Sequence, residues 1–319
     1  MTTVTRYDNT KAVREDLTDI IYNISPTATP LMSNIGRESV DNTYHEWQTD
    51  VLAAPDTTAY VEGADATDTT FVATNRVGNY TQIGQKTINV SGTTGAVDTA
   101  GMKTLESYLL AKRGRELKRD METILLTNQA AVVGNNSTAR KLAGLPAWIK
   151  TNVVANGATA PTMSSTNDGY PNAGWTGLTS PAAFTEAMLK TAMQSLWTNG
   201  GEAKMLMVGP VNKVRFSGFA GIALNRVDIG SPKQTFLVGA ADVYVSDFGN
   251  LDIVPNRFTN ETFALLIDPE YAKIGYLRPF QRNPLAKTGD SKRTQMLVEY
   301  TLVVGTEKAH GAIANITTS

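Results

Sequence analysis

The sequence predicts an α+β fold organised by one long helix, and three observations carry that prediction. Residues 98–128 keep apolar side chains at three- and four-residue steps over about 30 positions. Residues 263–304 hold three strand-like runs, and the last of them alternates. Between these stretches, 178–262 mixes short helical and strand-like runs and reads as an α/β lobe of its own.

Taken in order, residues 1–43 read as an arm. Val13, Leu17, Ile20, Ile21 and Ile24 recur at helical spacing and predict a helix over Val13–Asn23, ended by Pro26 and Pro30. Leu31, Met32 and Ile35 follow, too few to form a core, so the arm is expected to lie across another element. Residues 44–92 read as an extended loop. Tyr44–Leu52 and Asn79–Val90 are its predicted strands, joined by a Thr-, Asp-, Ala- and Gly-rich connection. From Gln48 to Thr74 there are five acids (Asp50, Asp56, Glu62, Asp65 and Asp68) and no Lys or Arg. Connections longer than about 12–15 residues are uncommon in compact domains and are usually functional or disordered. Composition fits both a two-stranded arm with an acidic tip and a disordered surface loop.

The long helix carries Met102, Leu105, Leu109, Leu117, Met121, Ile124 and Leu125 as its stripe, with Asp98 as a capping candidate. Gly114 sits mid-helix, where it would permit a bend. The Lys112, Arg113, Arg115, Lys118 and Arg119 cluster invites a nucleic-acid reading. Four interleaved acids (Glu106, Glu116, Asp120 and Glu122) favour a solvated or subunit-facing side instead. Residues 93–177 otherwise contain the apolar run Leu142–Ile149 and a long polar loop, Asn156–Gly177.

In the 178–262 lobe, Ser180-Pro181 is the predicted helix start, with Phe184, Met188, Leu189, Ala192 and Leu196 as the stripe and Gly200-Gly201 as the stop. Met205–Val208 is a short buried strand. A second helix holds Val211, Val214 and Phe216, and Val243–Ser246 with Leu251–Val254 form two strands around Phe248-Gly249-Asn250. The closing segment, 263–319, supplies strands Phe263–Ile267, Ala272–Leu277 and Thr294–Val304. Met296, Val298, Tyr300, Leu302 and Val304 share one face of the last. Six basic residues (Lys273, Arg278, Arg282, Lys287, Lys292 and Arg293) and one acid, Asp290, fall between 273 and 293.

The net charge of −1 hides this patterning: residues 1–75 carry −8, 76–150 carry +6, and 273–319 carry +4. Opposite blocks along one chain suggest a partner, or another copy of the chain. Charged residues are 18% of the chain, under the roughly 25% of ordinary soluble domains. Without a globally basic balance, non-specific nucleic-acid binding by the whole surface is excluded. The absence of cysteine excludes disulfides, thiolate metal sites and cysteine nucleophiles. No apolar run spans a membrane and the start lacks a signal-peptide core, so synthesis and residence in a cytoplasm are expected.

Catalytic signatures do not assemble. His45 and His310 are the two histidines, 265 positions apart, and neither falls in a cluster with metal-ligand spacing. No Gly-x-Ser-x-Gly elbow, dinucleotide fingerprint, phosphate loop or EF-hand occurs. No enzyme, cofactor or metal is expected.

Several runs resemble a known family. They are Ser25-Pro26-Thr27-Ala28-Thr29-Pro30-Leu31 in the arm, Asp268-Pro269, Gly275-Tyr276-Leu277-Arg278-Pro279, Thr288-Gly289-Asp290, and Glu299-Tyr300-Thr301-Leu302 closing in Glu307-Lys308-Ala309-His310-Gly311. They and the order of parts resemble the major capsid proteins of tailed bacteriophages, with the HK97-like capsid fold. The resemblance implies an N-terminal arm (1–43), an extended loop (44–92), a peripheral domain with the spine helix (93–177), an axial domain (178–262) and C-terminal strands rejoining the peripheral domain (263–319). It implies self-assembly into hexamers and pentamers of an icosahedral shell around double-stranded DNA. A portal protein is implied as a partner, with scaffolding and decoration proteins as possible ones. In this fold the extended loop crosses a neighbouring subunit, so the five loop acids are expected to meet the six basic residues of 273–293 between subunits. Some members crosslink through a Lys–Asn isopeptide bond; Lys86, the one lysine in 44–92, lies away from the tip, and no crosslink is expected. Two other readings remain: an encapsulin-type nanocompartment shell, and a two-lobed α/β ligand-binding protein or hydrolase.

Overall fold

The structure, a computed structural model, describes residues 25–66, 68, 71–97, 104–166, 168–219 and 242–317. The helix expected over Val13–Asn23, the Asp98 cap and Met102 lie outside the described residues.

Pro30 opens a helical turn, α1 (Pro30–Asn34), because proline at the first helical position sacrifices no hydrogen bond. Its Leu31 and Met32 are buried, as is Ile35 just beyond it. The arm continues as β1 (Gly36–Ser39) and then β2 (Tyr44–Thr49).

The returning strand of the extended loop is two strands, not one. Segment β3 (Asn75–Tyr80) pairs antiparallel with β2, from Tyr44 opposite Tyr80 to Thr49 opposite Asn75. Segment β4 (Gln82–Ser91) pairs with a different strand near the C-terminus. The break falls at Thr81, fully buried, whose N–H donates to the Thr43 carbonyl and whose hydroxyl donates to Glu299. Beyond Thr49 and before Asn75 the strand pairing stops.

After a short turn, α2 (Gly92–Ala96), the spine helix α3 runs from Leu105 to Leu126, about 33 Å. Its C-terminal half is the buried one, with Leu117, Met121, Leu125 and Leu126 in the core. Helix geometry continues unbroken through Gly114. There a Cβ would stand 3.3 Å from the Met296 methyl, so this glycine serves close packing. The chain then forms α4 (Leu145–Trp148) and the short strands β5 (Val153–Val154), β6 (Thr162–Met163) and β7 (Pro171–Ala173), the last two pairing inside the expected long loop.

Helix α5 spans Glu186–Thr198 and starts later than Ser180-Pro181 suggests. Ser180 takes a positive φ of 55°, and the cap is Thr185, whose hydroxyl accepts from the Met188 N–H. Next come β8 (Met205–Val208), α6 (Pro210–Ser217), β9 (Val243–Ser246), β10 (Gly249–Pro255), β11 (Phe263–Ile267), β12 (Ala272–Pro284), β13 (Ser291–Val304) and β14 (Gly311–Ala314). On α6, Phe216 is buried but Val214 faces outward.

Two sheets result. One has the order β1-β12-β13-β4, the other β5-β14-β11-β8-β10-β9. The strands of 263–319 are therefore shared: β12 and β13 belong to the first sheet, β11 and β14 to the second. Strand β11 is buried along its whole length, and β14 and β8 occupy its two edges. The second sheet separates two apolar cores. Met205, Met207, Leu265 and Ile267 face the larger core with α3, α1 and the alternating face of β13. Leu206, Val208, Ala264 and Leu266 face a smaller core under α5 and α6.

Candidate assembly surfaces

Two buried carboxylates hold the outer parts to this frame. Glu122 of α3 is fully buried. Its Oε1 accepts from the Leu31 N–H (2.7 Å) and from Asn256 Nδ2 (2.7 Å), and its Oε2 accepts from the Met32 N–H (3.0 Å). Burial pushes this carboxyl upward from its ordinary value, while the three donors pull against burial. The arm is thereby pinned to the spine helix and to the loop after β10. Glu299 of β13 accepts from Thr81 Oγ1 (2.8 Å), Arg278 Nε (2.7 Å) and Arg140 Nη2. Burial alone would raise its pKa; Thr81 and the two guanidiniums reverse that and hold it below the usual carboxylate range. This cluster ties the Thr81 corner, β12 and the segment after α3 to one point.

Outside the frame lies the loop between β2 and β3. Every described residue from Asp50 to Thr74 is exposed. The five expected acids are all here, and none makes an ion pair among the described residues. Asp50 accepts from the Val51 N–H (2.8 Å). Asp56 accepts from the Thr58 N–H (2.8 Å), and the Thr58 hydrogen bonds lower its pKa. Alongside these acids the loop exposes Val51, Leu52, Tyr60, Val61, Phe71 and Val72, with Leu52 at 94% and Phe71 at 86% of full exposure. The acid count drew attention to charge; the apolar residues were equally visible in the sequence and are the larger physical signal.

The basic residues of 273–293 lie on β12, β13 and the turn between them. Four of the six are engaged within the chain. Lys273 stands 3.6 Å from Glu38, Arg278 binds Glu299, and Arg282 (2.7 Å) and Lys292 (2.6 Å) both bind Glu106 in the first turn of α3. Glu106 is held below its ordinary value, chiefly by Lys292. Lys287 and Arg293 make no ion pair among the described residues. Lys86 pairs with Asp120 of α3 at 2.6 Å. Among the described residues no cluster of His, Asp and Glu is placed to hold a metal, and no helix is long and apolar enough to cross a membrane.

An exposed loop without ion pairs among the described residues, on a body built around two large sheets, with an arm strapped across the spine helix, is the architecture of a shell-building subunit. The sequence pattern of the SU10 major capsid protein family matches residues 1–317, and the chain belongs to that family. A major capsid protein of Escherichia phage Phieco32 is 33% identical over 242 residues, 67% of each chain. The fold matches the capsid subunit of cyanophage A-1(L) with a TM-score of 0.66 at 14% identity, over 99% of this chain and 100% of that one. It also matches a structure of phage G major capsid and decoration proteins with a TM-score of 0.54 at 11% identity, over 99% and 100%. The fold is the HK97-like capsid fold, and the chain is the major capsid protein of a tailed bacteriophage, a structural component of the virion shell.

Proposed function

We propose that this chain forms hexamers and pentamers of an icosahedral shell enclosing double-stranded DNA, and that the exposed loop is the principal strap between copies. In this reading 1–43 is the arm, 44–92 the extended loop, 93–177 the peripheral domain, 178–262 the axial domain, and 263–319 rejoins the peripheral part while lending β11 and β14 to the axial sheet. The chain performs no reaction. Assembly takes place in the host cytoplasm; a portal protein fills one vertex, and decoration or scaffolding proteins are further partners.

The loop carries the reading. A segment of about 25 residues exposing six large apolar side chains and five unpaired acids is poorly suited to water and well suited to a neighbour's surface. The basic hairpin of a neighbouring copy, with Lys287 and Arg293 still available, is one receiver. Charge complementarity supplies register and encounter rate, and buried apolar anchors supply affinity. Reversing three acids (Glu62→Lys, Asp65→Lys, Asp68→Lys) leaves the subunit folded and impairs shell formation, read by light scattering and electron microscopy. Normal shells from this variant at low and moderate salt would refute the strap.

A further inference from the structure

The ribbon formed by β2 and β3 is a sheet of two strands, an arrangement only marginally stable in water by itself. It carries the exposed loop beyond its last pair, Thr49 opposite Asn75. At the opposite end the Asn79 amide donates to the Leu302 (2.8 Å) and Ala143 (3.2 Å) carbonyls and ties the ribbon to the frame. Between the two ends, Val77 and Trp47 pack in the larger core. The hold nearest the loop comes from a stretch just before β7, 92 residues further along the chain. The Arg76 N–H donates to Asp168 Oδ1 (2.6 Å), the Gly78 N–H donates to the Gly169 carbonyl (2.8 Å), and the Gly169 N–H donates to the Arg76 carbonyl (2.8 Å). Gly169 does this at a φ of 87°, where a side chain would be strained. The Tyr170 ring then stands edge-on to Tyr80 (5.2 Å) and Tyr44 (6.2 Å).

We infer that Asp168, Gly169 and Tyr170 are positioning residues for the strap: they fix the direction in which the exposed loop leaves its own subunit, and with it the angle at which neighbouring copies join. The inference rests on the strap reading above. The clamp has the geometry of a fulcrum, because it grips β3 at Arg76 and Gly78, next to the point where pairing ends and exposure begins. Each side of the loop has about 12 residues, so it reaches at most about 40 Å at roughly 3.3 Å per residue. A tilt of about 10° at the clamp then moves the tip by about 7 Å, more than one strand spacing of about 4.8 Å. Hydrogen bonds do not survive a displacement of that size. A closed shell needs the same rotation repeated at every equivalent contact, so a loose clamp produces variable curvature rather than a failure to associate. A stretch that merely stabilised the fold would instead lower subunit stability and leave particle size unchanged.

The test compares two double variants of the full-length chain. Asp168→Ala with Tyr170→Ala removes the acceptor and the ring; Asp168→Asn with Tyr170→Phe keeps both. In unassembled subunits, hydrogen exchange at the Arg76 and Gly78 amides should quicken about tenfold in the alanine pair and stay native in the conservative pair, with the amides of β12 and β13 unchanged in both. On assembly the alanine pair should give particles of mixed diameter, read by electron microscopy and sedimentation, and the conservative pair uniform particles of native diameter. If the alanine pair yields no particles, Asp168→Ala alone carries the comparison of diameters. Native diameters alongside quickened exchange would overturn the inference and leave the strap reading intact, as would unchanged exchange at Arg76 and Gly78. A loop reversal (Glu62→Lys, Asp65→Lys, Asp68→Lys) that assembles normally would instead remove the strap reading itself.

Discussion

His310 makes the subunit's stability depend on pH in a calculable way. The ring is fully buried where the chain enters β14, and its Nδ1 accepts from the Asp268 N–H (3.3 Å), which requires the neutral form. Burial pushes its pKa down from 6.5 to about 4, against a smaller opposing effect of the Tyr271 backbone. The unfolded chain thus binds the proton first as pH falls. Stability from this group is complete above about pH 6.5 and is lost on acidification through the window down to about 4. A displacement of that size corresponds to about 3 kcal/mol in total, falling at up to about 1.4 kcal/mol per pH unit inside the window. The assay is urea denaturation of unassembled subunits between pH 4.5 and 7.5, comparing the native chain with His310→Asn, which keeps an acceptor near the Nδ1 position. Subtraction cancels His45 and the carboxylates common to both proteins. The native chain should lose stability more steeply, and the difference between the two curves should close toward low pH. Parallel curves would show that His310 is not held neutral by burial.

Other outcomes follow from the same contacts. Glu122→Ala strands two backbone N–H groups and the Asn256 amide, and should cost about 3 kcal/mol in denaturation while making the arm near residue 30 sensitive to protease. Glu299→Gln leaves two guanidiniums around a neutral side chain and should cost about 2 kcal/mol, read as a lower urea midpoint with unchanged m-value. Gly144→Ala drives a Cβ into the Thr127 carbonyl oxygen at the end of α3, and a loss of about 2 kcal/mol or more is expected. Leu52→Ser with Phe71→Ser should leave subunit stability within about 0.5 kcal/mol yet weaken assembly, separating the loop's role in the shell from any role in the fold.

Regular elements were legible where one period dominates. The stripe of α3, the uninterrupted apolar runs of β8 and β11, and the alternation of β13 all appear in the structure where their spacing places them. Polar punctuation misled at two points. Asn79 and Thr81 read as members of one returning strand, yet both are buried side chains that bond to distant segments and turn the chain from one sheet to the other. Ser180-Pro181 has the composition of a helix start, but the capping hydroxyl belongs to Thr185. The anchoring acids were overlooked because a single carboxylate on a helix or strand normally marks a solvated face. For Glu299 a signal existed: it is the one charge within Leu297–Val304, a run otherwise free of charge and buried throughout. Glu122 offered less, since it shares its helix with three other acids, which are partly exposed and ion-paired. The basic hairpin shows the limit of counting charges, because four of its six cations are already satisfied by acids distant in sequence.

The four arm residues of β1 do more than add a strand. They lie parallel along β12, Gly36 beside Lys273 through Ser39 beside Tyr276, on the only edge of that strand not taken by β13. A bare strand edge is a template for unplanned pairing with any passing chain. The arm therefore acts as a molecular sheath, and chains whose arm detaches early are the ones expected to leave the soluble pool as aggregates.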